Sequence, residues 1–280
     1  MEATLVSLSE LDRARLWLRA TGSLICLLLF ACKGAEDPQA SSVTESELVV
    51  FAATSLREPF TRLGESWKTA HPGAALTFNF AGTQELRTQL EQGATADVFA
   101  SADQRHMDEL VKGDRASAPA LFARNEPVIV VAKEAAESIR ALSDLARAKR
   151  LVIGAPEVPI GRYTLQVLDK AAGSLGATFR ADIESKVVSR ELNVRQVLNK
   201  VKLGEAEAGI VYRTDALSAP ELTVITIPAE LNVIAEYPIA TVTEAKHPKL
   251  AQSFVELVRS QEGRSALEHA GFLAPDVAAR

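Results

Sequence analysis

Short apolar strands alternate with amphipathic helices along this chain, and that alternation constrains the fold more than any other feature. Residues 48–53 form an apolar, β-branched run that predicts a buried parallel strand. The apolar residues that follow recur at helical spacing and predict one buried helix face: Leu56, Phe60, Leu63 and Trp67. The sequence 71–73, His-Pro-Gly, then predicts the end of this helix. Such alternation favours a doubly wound α/β architecture.

The same alternation continues to residue 269 and predicts two α/β lobes, each a mixed, mostly parallel sheet flanked by helices. The order of elements places the second lobe inside the first, with lobe I at 47–125 and 235–280 and lobe II at 126–234. Further strands are predicted at 76–81, 97–100, 127–132, 151–154, 209–212, 222–227 and 236–242. Further helices are predicted after Thr83, after a cap at Ser101 or Asp103, and at 159–171, 193–203, 248–259 and 261–269.

The N-terminus predicts export. Three arginines (Arg13, Arg15 and Arg19) precede an apolar run at 24–31, which is too short to span a bilayer but suits a signal peptide. The run ends in Leu-Phe-Ala-Cys and resembles the lipobox of bacterial lipoproteins, so we predict a signal peptide at 1–32 and lipidation of Cys32. Ordinary cleavage nearby, which would release a soluble periplasmic protein, is the alternative. Residues 33–46 are polar and predict a flexible tether.

Composition excludes several classes of function. Both cysteines, Cys26 and Cys32, lie in the predicted leader, so the folded part cannot contain a disulfide, a cysteine-ligated zinc or a cysteine nucleophile. The formal net charge is −5, and no long run of Lys and Arg is present, which argues against a nucleic-acid partner.

Several strand-to-helix turns share one chemical design. Each brings the start of a helix, often with a small hydroxyl residue, to the carboxyl end of a strand, where open α/β sheets bind their ligands. The first N–H groups of a helix have no intrahelical partner, and the helix dipole is positive there. Two such lobes that face each other would form an anion site. Ser55 has a simpler interpretation as well, since Ser55 and Glu58 match the S-x-x-E capping box of a helix start.

Five segments resemble motifs of the periplasmic molybdate-binding protein family, in the family's order and spacing, and the resemblance covers 47–275. They are 51–56 (FAATSL), 96–103 (ADVFASAD), 154–163 (GAPEVPIGRY), 193–195 (NVR) and 209–212 (GIVY). The resemblance implies a two-lobed periplasmic-binding-protein fold of type II that binds molybdate or tungstate without catalysis and without a cofactor. It also implies a monomer that delivers its ligand to an ABC-transporter permease in the inner membrane.

The resemblance also implies which atoms hold the oxyanion. Ser55 and Thr83 would donate from their hydroxyl groups, Ile160 and Val194 from their backbone N–H groups, and Tyr212 from its phenol. Molybdenum or tungsten would thus be bound only within its oxyanion, through hydrogen bonds from uncharged donors. Such hydrogen bonds are strong in a cleft that excludes water. Thr83, Gln84 and Ile160 depart from the family's usual residues and bear on the preferred size of the oxyanion.

Other polar residues near these motifs receive structural interpretations. Asp97 and Asp103 are expected to form caps and turns, because a carboxylate would repel a dianion. Arg162 and Arg195 are expected to point to solvent or to pair with acids.

Three alternative functions remain at this point. The same fold could bind sulfate or a small organic sulfonate. It could also be a periplasmic hydrolase with Ser55 as nucleophile, although Ser55 lacks a G-x-S-x-G elbow and has no evident histidine partner. The third alternative is a sensor that docks a signalling protein when it is liganded.

Overall fold

The computed structural model describes residues 46–276. The predicted signal peptide, Cys32 and all of the tether except Ser46 therefore lie outside the described residues. No helix within 46–276 is long and apolar enough to cross a membrane.

Ten strands and nine α-helices follow one another along the described chain. The strands are β1 (Ser46–Ala53), β2 (Ala74–Ala81), β3 (Val98–Ala100), β4 (Ala116–Asn125), β5 (Pro127–Val131), β6 (Leu151–Gly154), β7 (Val187–Glu191), β8 (Ala208–Tyr212), β9 (Thr223–Thr226) and β10 (Ala235–Val242). The helices are α1 (Arg57–Ala70), α2 (Thr83–Glu91), α3 (Gln104–Lys112), α4 (Pro159–Leu175), α5 (Phe179–Glu184), α6 (Val194–Lys202), α7 (Arg213–Leu217), α8 (Pro248–Arg259) and α9 (Gln261–His269).

The strands form two five-stranded sheets, each the centre of one lobe. The lobe I sheet has the order β2-β1-β3-β10-β4, and the lobe II sheet has the order β7-β6-β8-β5-β9. In each sheet a single strand, β10 or β5, runs against the other four. Two lobes with mixed, mostly parallel sheets are therefore confirmed. The residue limits predicted for the lobes remain a prediction.

The chain passes between the sheets at two places. It leaves the lobe I sheet after Asn125 and returns to it at Ala235. Side-chain amides hold both passages: Asn125 Nδ2 donates to Thr214 Oγ1 over 2.9 Å, and Asn232 Nδ2 donates to the carbonyl oxygen of Pro127 over 3.0 Å. These bonds join the two crossing segments to lobe II at the base of the cleft between the lobes.

The apolar face predicted for the first helix lies in the core of lobe I. The four predicted residues of that face, Leu56, Phe60, Leu63 and Trp67, are at most 1% exposed. Phe60 packs against the rings of Phe78, Phe122 and Phe254, with centroid distances between 5.5 and 6.3 Å. Since full burial of one such side chain stabilises by about 1.5–3 kcal/mol, this face accounts for the position of α1 against the sheet.

Two strands and two short helices were not predicted. Strands β4 and β7 are edge strands, and neither contains a long apolar run. Pro119 fits β4 because an edge strand does not need every N–H group. Helices α5 and α7 have six and five residues, too few for a periodic pattern. Helix α7 begins directly after Tyr212, the last residue of β8.

Candidate functional site

Four strand-to-helix connections face one another across the cleft. From lobe I, β1 leads through a 3-10 turn (Thr54–Leu56) into α1, and β2 leads through Gly82 into α2. From lobe II, β6 leads to α4, and β7 leads through Asn193 into α6. Each helix has at least nine residues, so each brings unpaired N–H groups and a positive dipole end to the cleft.

A small cavity lies between these connections. All five predicted oxyanion-binding residues, Ser55, Thr83, Ile160, Val194 and Tyr212, line it. The other described residues of the wall are Ala53, Thr54, Ala81, Gly82, Ala102, Val158, Pro159 and Asn193. None of these side chains carries a charge. A ligand here would meet hydroxyl groups, N–H groups and apolar surface.

Ser55 does not cap α1, so the predicted capping box with Glu58 is wrong. The residue before the helix is Leu56, and no side chain caps the helix start there. Ser55 instead lies in the 3-10 turn and is 2% exposed. Its Oγ is 3.0 Å from the hydroxyl oxygen of Tyr237 on β10. The extra turn moves Ser55 off the helix start and leaves its hydroxyl at the cavity wall.

Thr83 is the first residue of α2 and is 1% exposed. Its Oγ1 accepts a hydrogen bond from the backbone N–H of Ala102 over 3.1 Å. The preceding Gly82 donates its own N–H to Glu85 Oε2 over 2.8 Å, so a side chain of α2 itself accepts the backbone N–H at the helix start. The Thr83 hydroxyl is therefore not needed as a cap and is available to a ligand.

Ile160 and Val194 stand at helix starts in lobe II, and their apolar side chains leave the backbone N–H groups as their available donors. Ile160 lies in the first turn of α4 behind Pro159, and Val194 is the first residue of α6. Both side chains are buried, at 1% and 4% exposure. Asn193 caps α6 by accepting the N–H of Gln196 over 3.1 Å. Because N–H groups in a first helical turn lack intrahelical partners, both residues can donate to a ligand.

Tyr212 ends β8 and is 1% exposed, yet its hydroxyl has no hydrogen-bond partner among the described residues. Its ring packs edge-on against Tyr163 and Tyr237, with centroids 6.4 and 5.8 Å away. Burial, followed by the nearby Tyr237 and Tyr163, raises the pKa of Tyr212 well above its usual value. The phenol therefore stays protonated and can donate to an anion.

The charged residues near the cleft pair with one another across it. Arg162 of lobe II binds Asp103 of lobe I with Nη2 3.0 Å from Oδ2, and Asp103 also caps α3 by accepting the N–H of His106. Arg195 of lobe II contacts Glu58 of lobe I. The prediction that these arginines pair with acids is confirmed, but the sequence did not show that the pairs join the two lobes.

Two neutral contacts also cross the cleft. Gln84 Nε2 donates to the carbonyl oxygen of Leu192 over 2.7 Å, and His106 Nε2 lies 2.9 Å from the carbonyl oxygen of Glu157. The lobes are thus in contact around the cavity. Sequence reasoning missed these contacts and Tyr237 because each contact joins segments that are far apart in the sequence.

Comparison with known proteins identifies the family. The model of the bacterial extracellular solute-binding proteins matches residues 48–273. The chain belongs to this family. A protein named molybdate-binding protein ModA, from Mycobacterium tuberculosis, is 42% identical over 91% of this chain and 98% of its own length. The sequence resemblance to the molybdate-binding proteins is thereby confirmed.

Solved structures agree on the fold. The substrate-binding domain of a putative molybdenum ABC transporter from Clostridium difficile is 27% identical, with a TM-score of 0.62 over 82% of this chain and 99% of that domain. The sulfate-binding protein SubI of Mycobacterium tuberculosis is 16% identical, with a TM-score of 0.75 over 84% of this chain and 89% of its own. At that identity the second comparison shows the fold alone. The predicted two-lobed periplasmic-binding-protein fold is confirmed.

Proposed function

We propose that this chain binds molybdate, and tungstate in the same way, outside the cytoplasmic membrane and delivers it to an ABC permease. The convergence of five uncharged donors on one cavity carries the proposal: the hydroxyls of Ser55, Thr83 and Tyr212 and the N–H groups of Ile160 and Val194. A tetrahedral dianion has four oxygens that accept hydrogen bonds, and donors held in a dry site bind it strongly. The names of the relatives support molybdate as the anion.

The charge arrangement supports the same proposal. Asp103 follows Ala102, which lines the cavity, and Arg162 pairs with the Asp103 carboxylate from the opposite lobe. Because donors come from both lobes, a bound anion stabilises the closed arrangement, which a permease can distinguish from the open one. The protein acts by stoichiometric binding and release rather than by turnover.

Calorimetry and thermal unfolding test the ligand. Molybdate, tungstate, sulfate and phosphate are titrated in parallel into the protein without its predicted leader. A ligand at about 100 times its Kd adds about 2.7 kcal/mol of stability, or roughly 5–10 °C in Tm at this size. We expect this shift with molybdate and tungstate. A shift with sulfate and none with molybdate would instead establish the alternative, the same fold used for sulfate.

Ser55→Ala tests the site in the same assay. Loss of a buried hydroxyl ligand should weaken molybdate binding by about 1–3 kcal/mol. Ser253→Ala is the control, because the Ser253 hydroxyl accepts the indole N–H of Trp67 over 2.9 Å and does not line the cavity. Equal molybdate affinity in Ser55→Ala and the unaltered protein would exclude Ser55 as a ligand.

Anchoring through a lipid on Cys32 is part of the proposal, supported by the lipobox-like sequence and by the position of Cys32 after an apolar run. Cells that express the full chain are labelled with a radioactive fatty acid and fractionated. We expect label and membrane association in the unaltered chain and neither in Cys32→Ala. Release of an unlabelled protein from unaltered cells would support ordinary cleavage instead.

A further inference from the structure

His106 joins the two lobes through one ring nitrogen. It lies in the first turn of α3, is 1% exposed, and donates its backbone N–H to Asp103 Oδ1 over 3.0 Å. Its Nε2 is 2.9 Å from the carbonyl oxygen of Glu157, in the connection from β6 to α4 of lobe II. A carbonyl oxygen can only accept, so Nε2 carries a hydrogen and donates it across the cleft.

This bond holds the turn that precedes α4. The N–H of Val158 donates to the carbonyl oxygen of Ala155 over 2.9 Å and closes the turn. The three residues that follow Glu157 are Val158, Pro159 and Ile160, and all of them line the cavity. Since the N–H of Ile160 is one of the proposed oxyanion donors, a bond to Glu157 keeps that donor in place against lobe I.

The other ring nitrogen of His106, Nδ1, is buried and has no hydrogen-bond partner among residues 46–276. In a neutral ring with its hydrogen on Nε2, Nδ1 is a bare acceptor. A protonated ring would instead place a second N–H and a positive charge where the protein offers no acceptor, which costs much more. The closed arrangement therefore favours the neutral form of His106.

The charged groups around the ring do not reverse this preference. Asp103 and Arg105 lie beside His106 on α3, Arg87 lies on α2, and the side chain of Glu157 is exposed. Burial is the largest influence and lowers the pKa of His106. Asp103 and the carbonyl group of Glu157 act to raise it. The two arginines lower it, and the pKa lies below the usual value for histidine.

Opening of the lobes would change these surroundings. The ring would lose Glu157 and meet water, so Nδ1 would gain a partner for a proton. Arg162 of α4 would also leave Asp103, and a carboxylate without its cation attracts a proton to the neighbouring ring. The pKa of His106 is therefore higher in the open arrangement than in the closed one. A ligand that closes the lobes then releases a proton, so its affinity falls as pH falls.

We propose that His106 is a positioning residue whose neutral Nε2–H group holds the start of α4 against lobe I, so that closure on an oxyanion is coupled to release of a proton from His106. The inference rests on the proposed function, because it takes an oxyanion as the ligand that closes the lobes. His106 itself does not line the cavity, and its effect passes through the position of Glu157.

Calorimetric titration with molybdate between pH 8 and pH 5.5 tests the coupling, on the protein without its predicted leader. An ordinary histidine has a pKa of about 6.5, so a single coupled proton weakens binding by up to about tenfold between pH 7.5 and pH 5.5. At pH 6 the titration is repeated in buffers with different heats of ionisation. The binding heat should change with the buffer in proportion to the proton that is released.

Two substitutions separate the hydrogen bond from the proton. His106→Phe fills similar space but cannot donate, and we expect it to bind molybdate about three- to tenfold more weakly at pH 8. His106→Gln offers an amide Nε2–H that does not titrate. It should regain most of the affinity that His106→Phe loses, and both variants should lack the part of the pH dependence that His106 supplies.

His269→Gln is the matched control. The His269 ring contacts the carbonyl oxygen of Ser265 within α9 over 2.9 Å, and the residue is exposed. This variant should keep the whole pH dependence of the unaltered protein. Changes of molybdate itself with pH are common to all these proteins and cancel in the comparison. Thermal unfolding without ligand verifies that each variant is folded.

The inference is overturned if His106→Gln shows the same loss of affinity toward pH 5.5 and the same proton release at pH 6 as the unaltered protein. It is also overturned if His106→Gln binds as weakly as His106→Phe at pH 8, because the ring would then act only through packing. Failure of the proposed function has a different signature: the unaltered protein would bind neither molybdate nor tungstate at any pH in this range. The same series is then run with sulfate, and if sulfate does not bind either, the inference fails as well.

Discussion

Arg162 and Asp103 form an ion pair across the cleft, with Arg162 Nη2 3.0 Å from Asp103 Oδ2. Asp103 is completely buried in lobe I, whereas Arg162 belongs to α4 of lobe II and stacks on the Tyr163 ring. Opening of the lobes would separate the pair and hydrate the arginine. The buried carboxylate thus has its cationic partner only while the lobes are in contact, whereas its hydrogen bond to the start of α3 lies within lobe I.

Arg162→Met should therefore weaken molybdate binding at least about tenfold, because an uncompensated buried carboxylate costs several kcal/mol and lies near the dianion. The measurement is calorimetric titration with molybdate. Arg180→Met is the control, since Arg180 pairs with Asp169 and Glu184 within lobe II. Equal losses in the two variants would show that the effect does not depend on contact between the lobes.

Gly82 leaves no room for a side chain in the closed arrangement. A Cβ at this position would overlap the carbonyl oxygen of Leu192, which belongs to lobe II. We expect Gly82→Ala to keep its fold but to bind molybdate at least about tenfold more weakly. The closed arrangement is the one that binds the anion, and the added methyl group would disfavour it. Small-angle scattering with excess molybdate should then show a more expanded particle than the unaltered protein gives.

Gly173→Ala is the matched control for that substitution. Gly173 lies inside α4, and a Cβ there would meet no atom within 4 Å. Alanine in an exposed helix interior is more stable than glycine by about 0.5–1 kcal/mol, so its Tm should rise slightly while affinity is unchanged. If Gly82→Ala compacts on molybdate binding as fully as Gly173→Ala does, the steric argument is wrong.

Tyr212→Phe should separate binding from stability. The Tyr212 hydroxyl is buried without a partner among the described residues, so its removal takes away an unsatisfied group rather than a bond. We expect the ligand-free Tm to stay the same or rise, while molybdate affinity falls by about 1–3 kcal/mol. A loss of Tm without a loss of affinity would show that the phenol has a structural role instead.

Asp215 predicts a dependence of stability on pH. Burial raises its pKa to about 7, with Arg195 acting to lower it and Glu58 to raise it. The folded state therefore retains a proton that the unfolded state releases near pH 4, so the free energy of unfolding should fall as pH rises from about 4 to about 7. Urea unfolding across this range should show a steeper fall for the unaltered protein than for Asp215→Asn, which does not titrate. Parallel curves would contradict the prediction.

The fold was largely accessible from the sequence because its central strands are short apolar runs and its long helices are amphipathic. The sequence did not predict edge strands β4 and β7, because neither contains a long apolar run. One face of each strand meets solvent, and hydrogen bonds to β10 or β6 hold the strand in its sheet.

The five predicted oxyanion-binding residues were chosen through motifs, and the structure brings all of them to one cavity. What lies behind them was not predictable. Tyr237 is 182 residues from Ser55 in sequence, and its contact depends on the return of β10 beside β3. The Arg162–Asp103 pair likewise depends on the closed arrangement, which no local pattern encodes.

All three tyrosines of the chain, Tyr163, Tyr212 and Tyr237, lie in one ring cluster beside the cavity, with neighbouring centroids 5.8 to 6.4 Å apart. Trp67 does not line the cavity and stacks on His71 in lobe I. Once the predicted leader with Trp17 is removed, the chain carries its own optical reporter: tyrosine emission arises beside the cavity, whereas Trp67 provides a reference signal from the same molecule. Ligand exchange can be followed in unlabelled protein by the ratio of the two.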